Sequence, residues 1–251
     1  MIEVVIGDVH ARADLLRALL RALGVLDSRG CRRRGFWIVQ VGDLFDRRAS
    51  PQANLGTARL AAEILDVVLA GNHELEMLVE PGSAHGAALS TLASRGWPHA
   101  AAAVSGWLVT HAGVHPELTH GLPPRAEDCA LEINDRWHRR AGNSICDPLF
   151  DWVGPAKGGL APYGGLFWRA ESEWPPRGRT PWGQIHGHVP QGRPRLLPGP
   201  RWLIDLGATG SKLAALMWDG PPAGWSPRMI RFAGGRAAVV RSSVERPRLA
   251  A

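Results

Sequence analysis

The chain has 251 residues, of which 45% are apolar and 21% charged, so it is long enough to bury a full core and has the composition of a soluble globular protein. Its net charge of +6 would suit a nucleic-acid partner, but nearly all of its 29 basic residues are arginines spread along the whole chain, so we do not predict nucleic-acid binding. No apolar run reaches the roughly 20 residues that span a bilayer, and the first predicted strand begins at residue 2 with no room for a leader. Three separated cysteines indicate no disulfide framework. We therefore expect a cytoplasmic protein without a membrane anchor.

Strands alternate with helices in the first third of the chain. Apolar runs over residues 2–6, 36–41 and 67–69 predict buried strands, each followed closely by a glycine. Leucines at helical spacing predict a helix over residues 14–23, and an alanine- and leucine-rich stretch predicts another over residues 54–65. This alternation indicates a largely parallel sheet with both faces covered, in which ligands bind beyond the carboxyl ends of the strands.

The middle of the chain is less regular. Residues 75–100 have helical and then loop-like character, residues 107–110 predict a short strand, and residues 125–140 have the charge pattern of a helix. Residues 141–182 are rich in glycine, proline and tryptophan and show little periodicity. We interpret the segment from about 120 to 182 as a lid or substrate-shaping insertion; the alternative is a surface excursion packed by its own tryptophans.

The last third of the chain predicts four more strands, which we expect to form a second sheet. They span residues 183–186, 202–205, 213–218 and 228–232. Residues 1–242 are predicted to form one domain, followed by a loose tail over residues 243–251.

Five short fragments place metal-binding side chains at the ends of predicted strands. The fragments are Gly7–His10, Gly42–Arg47, Gly71–Glu74, Thr110–Gly113 and Gly187–His188. Taken singly, each has a plain structural explanation, since a Gly-Asp pair often makes a turn and a histidine can cap a strand. Together, and each with a glycine beside it, they predict a site for two adjacent divalent metals about 3.5–4 Å apart.

The chemistry of the side chains suggests how they divide between the two metals. Asp8 and His10 lie two residues apart, so at a strand end they point to the same side and reach one metal. Asp43 is the predicted bridging ligand, because one carboxylate has two oxygens. The first metal is assigned to Asp8, His10 and Asp43, and the second to Asp43, Asn72, His111 and His188. Such a metal pair predicts a phosphoesterase in which a metal-bridging hydroxide attacks phosphorus.

Four further residues fit the same chemistry. His73, next to Asn72, is the predicted general acid for the leaving oxygen, and Asp46 is placed to orient its imidazole. Arg47 is predicted to bind two phosphate oxygens. Arg169 is the candidate for a second phosphate-binding cation; the alternative is a surface arginine stacked on a neighbouring tryptophan.

These fragments resemble the calcineurin-like metallophosphoesterase superfamily, and within it the phosphoprotein phosphatase family, which includes the symmetric diadenosine tetraphosphatases. That family's pattern is GD-x-HG, GD-x-x-DRG, GNHE, an H-A/G-G block and a late histidine, and residues 202–208 resemble its ID-x-GA strand. The resemblance implies an α/β fold of four α-β-β-α layers, with two mixed β-sheets packed as a sandwich flanked by helices. It also implies Mn²⁺, or Fe²⁺ and Zn²⁺, as the metals, and the ligand, acid and phosphate-binding roles given above.

The sequence departs from the family pattern at two positions. Ala11 and Arg48 stand where the family has glycine, and both lie near the expected substrate, which leaves the choice of substrate open. No second histidine lies two residues after His188, which favours the phosphoprotein phosphatase branch over the superfamily's phosphodiesterases. His186, two residues before His188, either lines the site or supports it from behind.

The leading functional hypothesis is a phosphomonoesterase acting on phosphorylated serine and threonine in proteins. The first alternative is an enzyme that splits diadenosine tetraphosphate or a related nucleotide polyphosphate. A phosphatase of nucleic-acid ends is suggested by the positive charge alone. A non-catalytic scaffold would be expected to have lost a ligand or the acid histidine, and this sequence retains all of them.

Overall fold

A computed structural model describes residues 1–79, 85–140, 146–176, 178–219 and 227–240. The helices of these ranges are α1 (Ala13–Ala22), α2 (Pro51–Ile64), α3 (Asn72–Val79), α4 (Gly86–Ala93), α5 (Ala126–Arg140) and α6 (Pro148–Asp151). The strands are β1 (Ile2–Ile6), β2 (Phe36–Gln40), β3 (Val67–Val68), β4 (Ala101–Val104), β5 (Trp107–Thr110), β6 (Gly183–His186), β7 (Arg195–Leu197), β8 (Arg201–Leu203), β9 (Lys212–Trp218), β10 (Arg228–Ala233) and β11 (Arg236–Val240). None of these helices is both long enough and apolar enough to cross a bilayer. The tail predicted over residues 243–251 lies outside the described residues.

The strands form two mixed sheets. The first has the spatial order β11-β10-β9-β1-β2-β3, in which β1, β2 and β3 are parallel as predicted and β9 runs antiparallel to β1. The second has the order β4-β5-β6-β8-β7, with β5, β6 and β8 parallel and an antiparallel strand at each edge. The parallel strands of each sheet therefore end at a common edge.

The expectation that the last four predicted strands form the second sheet is wrong for two of them. Strands β6 and β8 do lie in the second sheet, but β9 and β10 pair in the first sheet beside β1. Both faces of β9 are buried: Leu216 packs between the sheets and Met217 packs on the helix side. A central strand of either sheet is buried on both faces and therefore has the same apolar pattern. The sequence of such a strand does not indicate which of the two sheets it joins.

Two hydrophobic clusters explain the layering. Successive residues of β1 point to opposite faces, so Val4 and Ile6 pack against helices while Val5 packs in the cluster between the two sheets. Helix α1 buries a leucine stripe on one side of the sandwich, and α5 packs on β4 and β5 on the other. The result is the four-layer α-β-β-α arrangement, with the two sheets packed face to face and helices outside.

Much of the segment predicted as an insertion belongs to the core. Its helix α5 buries Ile133, and its later part buries Leu149, Phe150 and Phe167 in the same cluster as the helices of the first half. The stretch at residues 152–165 contains little regular structure and is the part to which a lid or substrate-shaping role can still apply.

Candidate metal centre

The first two ligand-bearing loops meet because their strands are parallel neighbours. Asp8 and His10 follow β1, and Asp43 follows β2. The backbone N–H groups of Val9 and His10 both donate to the Asp43 carbonyl oxygen at 2.9 Å, which joins the two loops directly. Asp8, His10 and Asp43 therefore lie close together at the carboxyl ends of two parallel strands, as the sequence predicts.

Backbone strain is concentrated at this edge. Six non-glycine residues of the described ranges have positive φ, and four of them are His10 (+47°), Ala11 (+59°), Asp43 (+51°) and His188 (+68°). A left-handed conformation costs a non-glycine residue roughly 1–2 kcal/mol. Such strain persists where the surrounding structure enforces it, and it is typical of functional sites.

One group of ligand atoms converges from three separate elements. Asn72 Oδ1 lies 3.0 Å from His111 Nε2 and 2.9 Å from His188 Nδ1, and the two ring nitrogens are 3.1 Å apart. An oxygen of Asp43 lies 3.5 Å from the same His111 nitrogen. The four residues assigned to the second metal are therefore brought together around one point.

The protonation of His111 explains why these atoms suit a cation. Its Nδ1 donates to the Val41 carbonyl oxygen at 3.1 Å, so its Nε2 carries a lone pair. Burial lowers the pKa of His111 to about 3, and the ring stays neutral at pH 7. The lone pair of Nε2 therefore faces the carbonyl oxygen of Asn72, and these two electron-rich atoms repel each other. A metal cation bound between them would attract both.

A second group of ligand atoms gathers around Asp8. Asp8, His10 and Asp205 each offer a ligand atom within 4.8 Å of the other two. Asp8 Oδ1 and His10 Nδ1 are buried and have no hydrogen-bond partner among the residues that the structure describes. Burial and the charges of Asp205 and Asp43 raise the pKa of Asp8 well above its ordinary value. A buried carboxylate oxygen and a buried ring nitrogen without partners, together with clustered carboxylates, fit a divalent cation, which would supply the missing partner.

Asp43 belongs to more than one of these groups. It lies with His111 and His188 in one and with His10 and His73 in another, each with ligand atoms within 4.8 Å. Its carboxylate also accepts the backbone N–H of His73 at 3.0 Å, at the first turn of α3. This shared position is the one expected of a bridging ligand.

Asp205 lies in the second group of possible ligand atoms and was not singled out in the sequence. It lies beyond the end of β8, in the Trp202–Ala208 segment that resembles a family strand, and no role was predicted for it. The available signal was an acidic residue directly after a buried apolar run, the same pattern that marks Asp8 and Asp43.

Two glycines leave room for the carboxylates. A Cβ added to Gly71 would overlap the side chain and the backbone nitrogen of Asp43, and one added to Gly187 would overlap Asp8. The glycines that accompany the ligands in the sequence are therefore required by close approach of the backbone.

Glu74 joins two of the ligand loops and was also missed as a site residue. Its carboxyl group is fully buried and accepts backbone N–H groups from Asp43 (2.9 Å), Phe45 (2.8 Å) and Gly71 (2.8 Å). Burial raises its pKa to about 7, although the three donors act in the opposite direction. Glu74 thus holds the loop of Asp43 against the turn that precedes Asn72.

The predicted acid pair lies at the mouth of the site. His73 Nδ1 is 3.6 Å from an Asp46 oxygen, and its Nε2 is 4.0 Å from Asp43. The pKa of His73 is lowered to about 4, mainly by burial and with contributions from His10, Arg47 and Arg48, while Asp46 acts in the opposite direction. The imidazole is therefore neutral at pH 7 before an anion binds.

The two predicted phosphate-binding arginines occupy different settings. Arg47 is half exposed, and its Nε pairs with Glu76 at 3.0 Å. Arg169 is 1% exposed, and its Nη2 donates to the carbonyl oxygen of Ala112, the residue after His111. The surface alternative for Arg169 is therefore wrong.

Arg169 is a buried cation without a carboxylate partner in the described part of the chain. Burial lowers its pKa to about 9, so it remains charged at pH 7. No described residue forms a hydrogen bond with its Nε or Nη1, and its guanidinium lies 4.5 Å from the ring centre of Trp174. His186 is fully buried, with Nε2 3.4 Å from Arg169 Nη2, so it packs behind the ligands.

Comparisons with known proteins agree with this geometry. The model of the protein family described as calcineurin-like phosphoesterase matches residues 4–210 of the chain. None of the curated proteins matches the chain.

Several solved structures share the fold. A provisionally named diadenosine tetraphosphatase is 20% identical, with a TM-score of 0.56 and 93% of each chain covered. A cold-active protein-tyrosine phosphatase of a psychrophilic Shewanella is 18% identical, with a TM-score of 0.59, 96% of this chain and 80% of that one covered. A serine/threonine phosphatase from Saccharomyces cerevisiae with similarity to human PP5 is 12% identical, with a TM-score of 0.52, 98% of this chain and 82% of that one covered. At these identities the likeness concerns the fold alone.

Proposed function

Because the chain belongs to the calcineurin-like phosphoesterase family and is therefore a hydrolase, we propose that it cleaves phosphate monoesters with two divalent metal ions. One observation carries the proposal: potential ligand atoms of Asn72, His111 and His188 meet within 2.9–3.1 Å of one another, beside the carboxylate of Asp43. A cation bound among these atoms would turn the repulsion between the His111 Nε2 lone pair and the Asn72 oxygen into attraction.

The ligand set supports two metal positions. We assign one cation to Asp8, His10 and Asp43, with Asp205 adding negative charge nearby, and the other to Asp43, Asn72, His111 and His188. A mixture of carboxylate, amide and imidazole ligands suits Mn²⁺, with Fe²⁺ and Zn²⁺ as alternatives. When bound, such a pair supplies an acidified water and offsets the negative charge of phosphate.

His73 is proposed to protonate the leaving oxygen. Its imidazole is neutral in the free protein, but a bound phosphate dianion places negative charge beside it and raises its pKa. Asp46, 3.6 Å away, favours the charged ring and fixes its orientation. The proton is therefore acquired when it is needed, with substrate in place.

Arg47 and Arg169 are proposed to bind the phosphate oxygens. Arg47 can exchange its exposed pairing with Glu76 for a phosphate at little cost, because such surface pairs contribute at most about 1 kcal/mol. A buried guanidinium without a counter-ion is costly, and a phosphate beside Ala112 would compensate the charge of Arg169.

The proposed substrates are phosphorylated serine and threonine of proteins. A second candidate is a nucleotide polyphosphate, because one of the solved structures that share the fold is provisionally named a diadenosine tetraphosphatase. The metal ligands and the acid serve both chemistries, so they do not distinguish the two.

A parallel assay tests the proposal. Purified, Mn²⁺-loaded protein is incubated with a phosphoserine peptide, diadenosine tetraphosphate and a 3′-phosphorylated oligonucleotide, with metal-free protein as the control. We expect metal-dependent release of phosphate from the peptide or cleavage of the dinucleotide. Hydrolysis confined to the oligonucleotide would contradict both proposed substrate classes, and no hydrolysis at all would contradict the proposed activity.

A further inference from the structure

Trp174 contacts two arginines, and only one of them has a carboxylate partner in the described part of the chain. The Arg201 guanidinium lies 3.7 Å from the centre of the indole ring, and the Arg169 guanidinium lies 4.5 Å from it. All three residues are at most 8% exposed. The face of an indole ring attracts a guanidinium, and the attraction is stronger in a buried setting than at the surface. The three side chains therefore form one buried cluster, which we call the Trp174 cluster.

The charge of Arg201 is balanced within this cluster. Its Nη1 donates to both carboxylate oxygens of Glu171 at 3.1 Å, and its Nη2 donates to one of them at the same distance. Its Nε donates to the carbonyl oxygen of Pro198 at 3.3 Å. A forked pair of this kind has a fixed geometry, so Arg201 supports the indole ring from a defined position at the start of β8.

The charge of Arg169 has no such partner. Its Nη2 donates to the carbonyl oxygen of Ala112 and lies 3.4 Å from His186 Nε2. Its Nε and Nη1 are buried and form no hydrogen bond with any described residue. The contacts of this guanidinium are therefore a carbonyl oxygen, an imidazole nitrogen and the face of Trp174, and two of its nitrogens still have hydrogens to donate to an anion.

The backbone around Arg169 fixes where its guanidinium lies. A Cβ added to Gly113 would lie 2.7 Å from Arg169 Nη2, so the glycine two residues after the ligand His111 leaves room for it. The carboxylate of Glu173 accepts the N–H of Ala170, the residue after Arg169, at 3.1 Å. Arg169 is thus held beside the end of β5, directly before the ligand His111.

We propose that Trp174 is a positioning residue for phosphate binding, whose indole ring keeps the Arg169 guanidinium directed at the phosphate of the substrate. This inference rests on the proposed function, because it takes Arg169 to bind a phosphate oxygen. Without the indole ring, the guanidinium has a space beside it into which its long side chain can turn or water can enter. Phosphate then has to reorder the side chain as it binds, and the lost conformational freedom lowers the affinity.

The test measures phosphate binding with and without Arg169. Inorganic phosphate is titrated by isothermal titration calorimetry into the full chain, loaded with Mn²⁺ and freed of unbound metal. KM and kcat for p-nitrophenyl phosphate are measured in parallel. The variants are Trp174→Leu and Trp174→Phe, each made in the unmodified chain and in Arg169→Met.

Trp182→Leu is the matched control. Trp182 is 4% exposed, and its Nε1 donates to the carbonyl oxygen of Pro123 at 2.9 Å. No arginine of the described ranges lies over its ring. Trp182→Leu therefore removes a buried indole of the same size without touching the Trp174 cluster, and it should lower stability while phosphate affinity stays the same.

We expect Trp174→Leu to weaken phosphate binding and to raise KM by about fivefold, with less than about a twofold change in kcat and unchanged metal content. In Arg169→Met, the same replacement should have no further effect on the dissociation constant, because the ring acts through that guanidinium. Trp174→Phe keeps a smaller aromatic face and should weaken binding by about twofold, again only when Arg169 is present. This second variant keeps the inference testable if Trp174→Leu does not fold.

Unchanged phosphate affinity in Trp174→Leu would overturn the inference. So would equal losses with and without Arg169, or an equal loss in Trp182→Leu, because either result would indicate a general effect on the fold. If Arg169→Met binds phosphate as tightly as the unmodified chain, the inference fails together with the role of Arg169. If the unmodified chain binds phosphate but hydrolyses no p-nitrophenyl phosphate, the proposed function fails, and the calorimetric comparison still decides on Trp174.

Discussion

Replacing Glu74 tests whether the ligand loops are held together by one buried side chain. Glu74→Ala removes the acceptor of three backbone N–H groups, those of Asp43, Phe45 and Gly71, at a position with no exposed surface. A buried donor left without a partner costs about 1–3 kcal/mol. With three such donors, the variant should lose about 3–9 kcal/mol, a large part of the 5–15 kcal/mol that stabilises a typical domain.

The matched control lies two residues further along the same helix. Glu76 is partly exposed, and within the described residues it pairs with the half-exposed Arg47. Glu76→Ala should change the free energy of unfolding by less than about 1 kcal/mol. Both variants are compared by urea unfolding at neutral pH, with Mn²⁺ content measured in parallel. Since Glu74 supports Asp43, we expect weaker metal retention in Glu74→Ala and none of this effect in Glu76→Ala.

Equal stability of the two variants would refute the reasoning. It would mean that water or a rearranged loop satisfies the three N–H groups without Glu74. Normal metal content in a strongly destabilised Glu74→Ala would instead show that this side chain stabilises the fold without positioning Asp43.

Three further substitutions probe single roles. His73→Asn should lower kcat by about 10²–10⁴-fold with unchanged metal content, because it removes a proton donor and no ligand; metal loss measured by elemental analysis would contradict this. Arg169→Met should raise KM by about tenfold or more while metal affinity stays the same, and unchanged kinetics would leave Arg169 with a packing role only. Ala11→Gly should change the free energy of unfolding by less than about 1 kcal/mol, whereas Ala11→Val should lower it by at least about 2 kcal/mol, because a β-branched residue fits positive φ poorly. Both variants are compared by thermal unfolding, and equal effects would contradict backbone strain at this position.

The ligands could be predicted from the sequence because parallel strands carry their following residues to one edge. Asp8, His10 and Asp43 needed only the assignment of two buried strands, and the glycines beside them marked the close approach of the backbone. His111 and His188 are far apart in the chain, and the structure brings them together because β5 and β6 are parallel neighbours. The predicted four-layer fold is confirmed.

Other features depend on tertiary contacts that leave little local signal. Strand β4 is rich in alanine, which has a low strand propensity, and the sequence predicts no strand there. Strand β9 pairs with β1, which is far away in the chain. The apolar pattern of β9 shows that both of its faces are buried but does not identify its partner strand. The role of Glu74 requires knowing that three separate N–H groups face one carboxyl group.

The number of metal ions bound by the chain tests the central claim most directly. Metal-free protein is titrated with Mn²⁺ while bound metal, phosphatase activity and the electron paramagnetic resonance spectrum are followed. We predict two ions per chain, with the spectrum of a spin-coupled pair appearing as activity reaches its maximum. Full activity with a single Mn²⁺, or two ions with the spectrum of isolated Mn²⁺, would contradict a shared site bridged by Asp43.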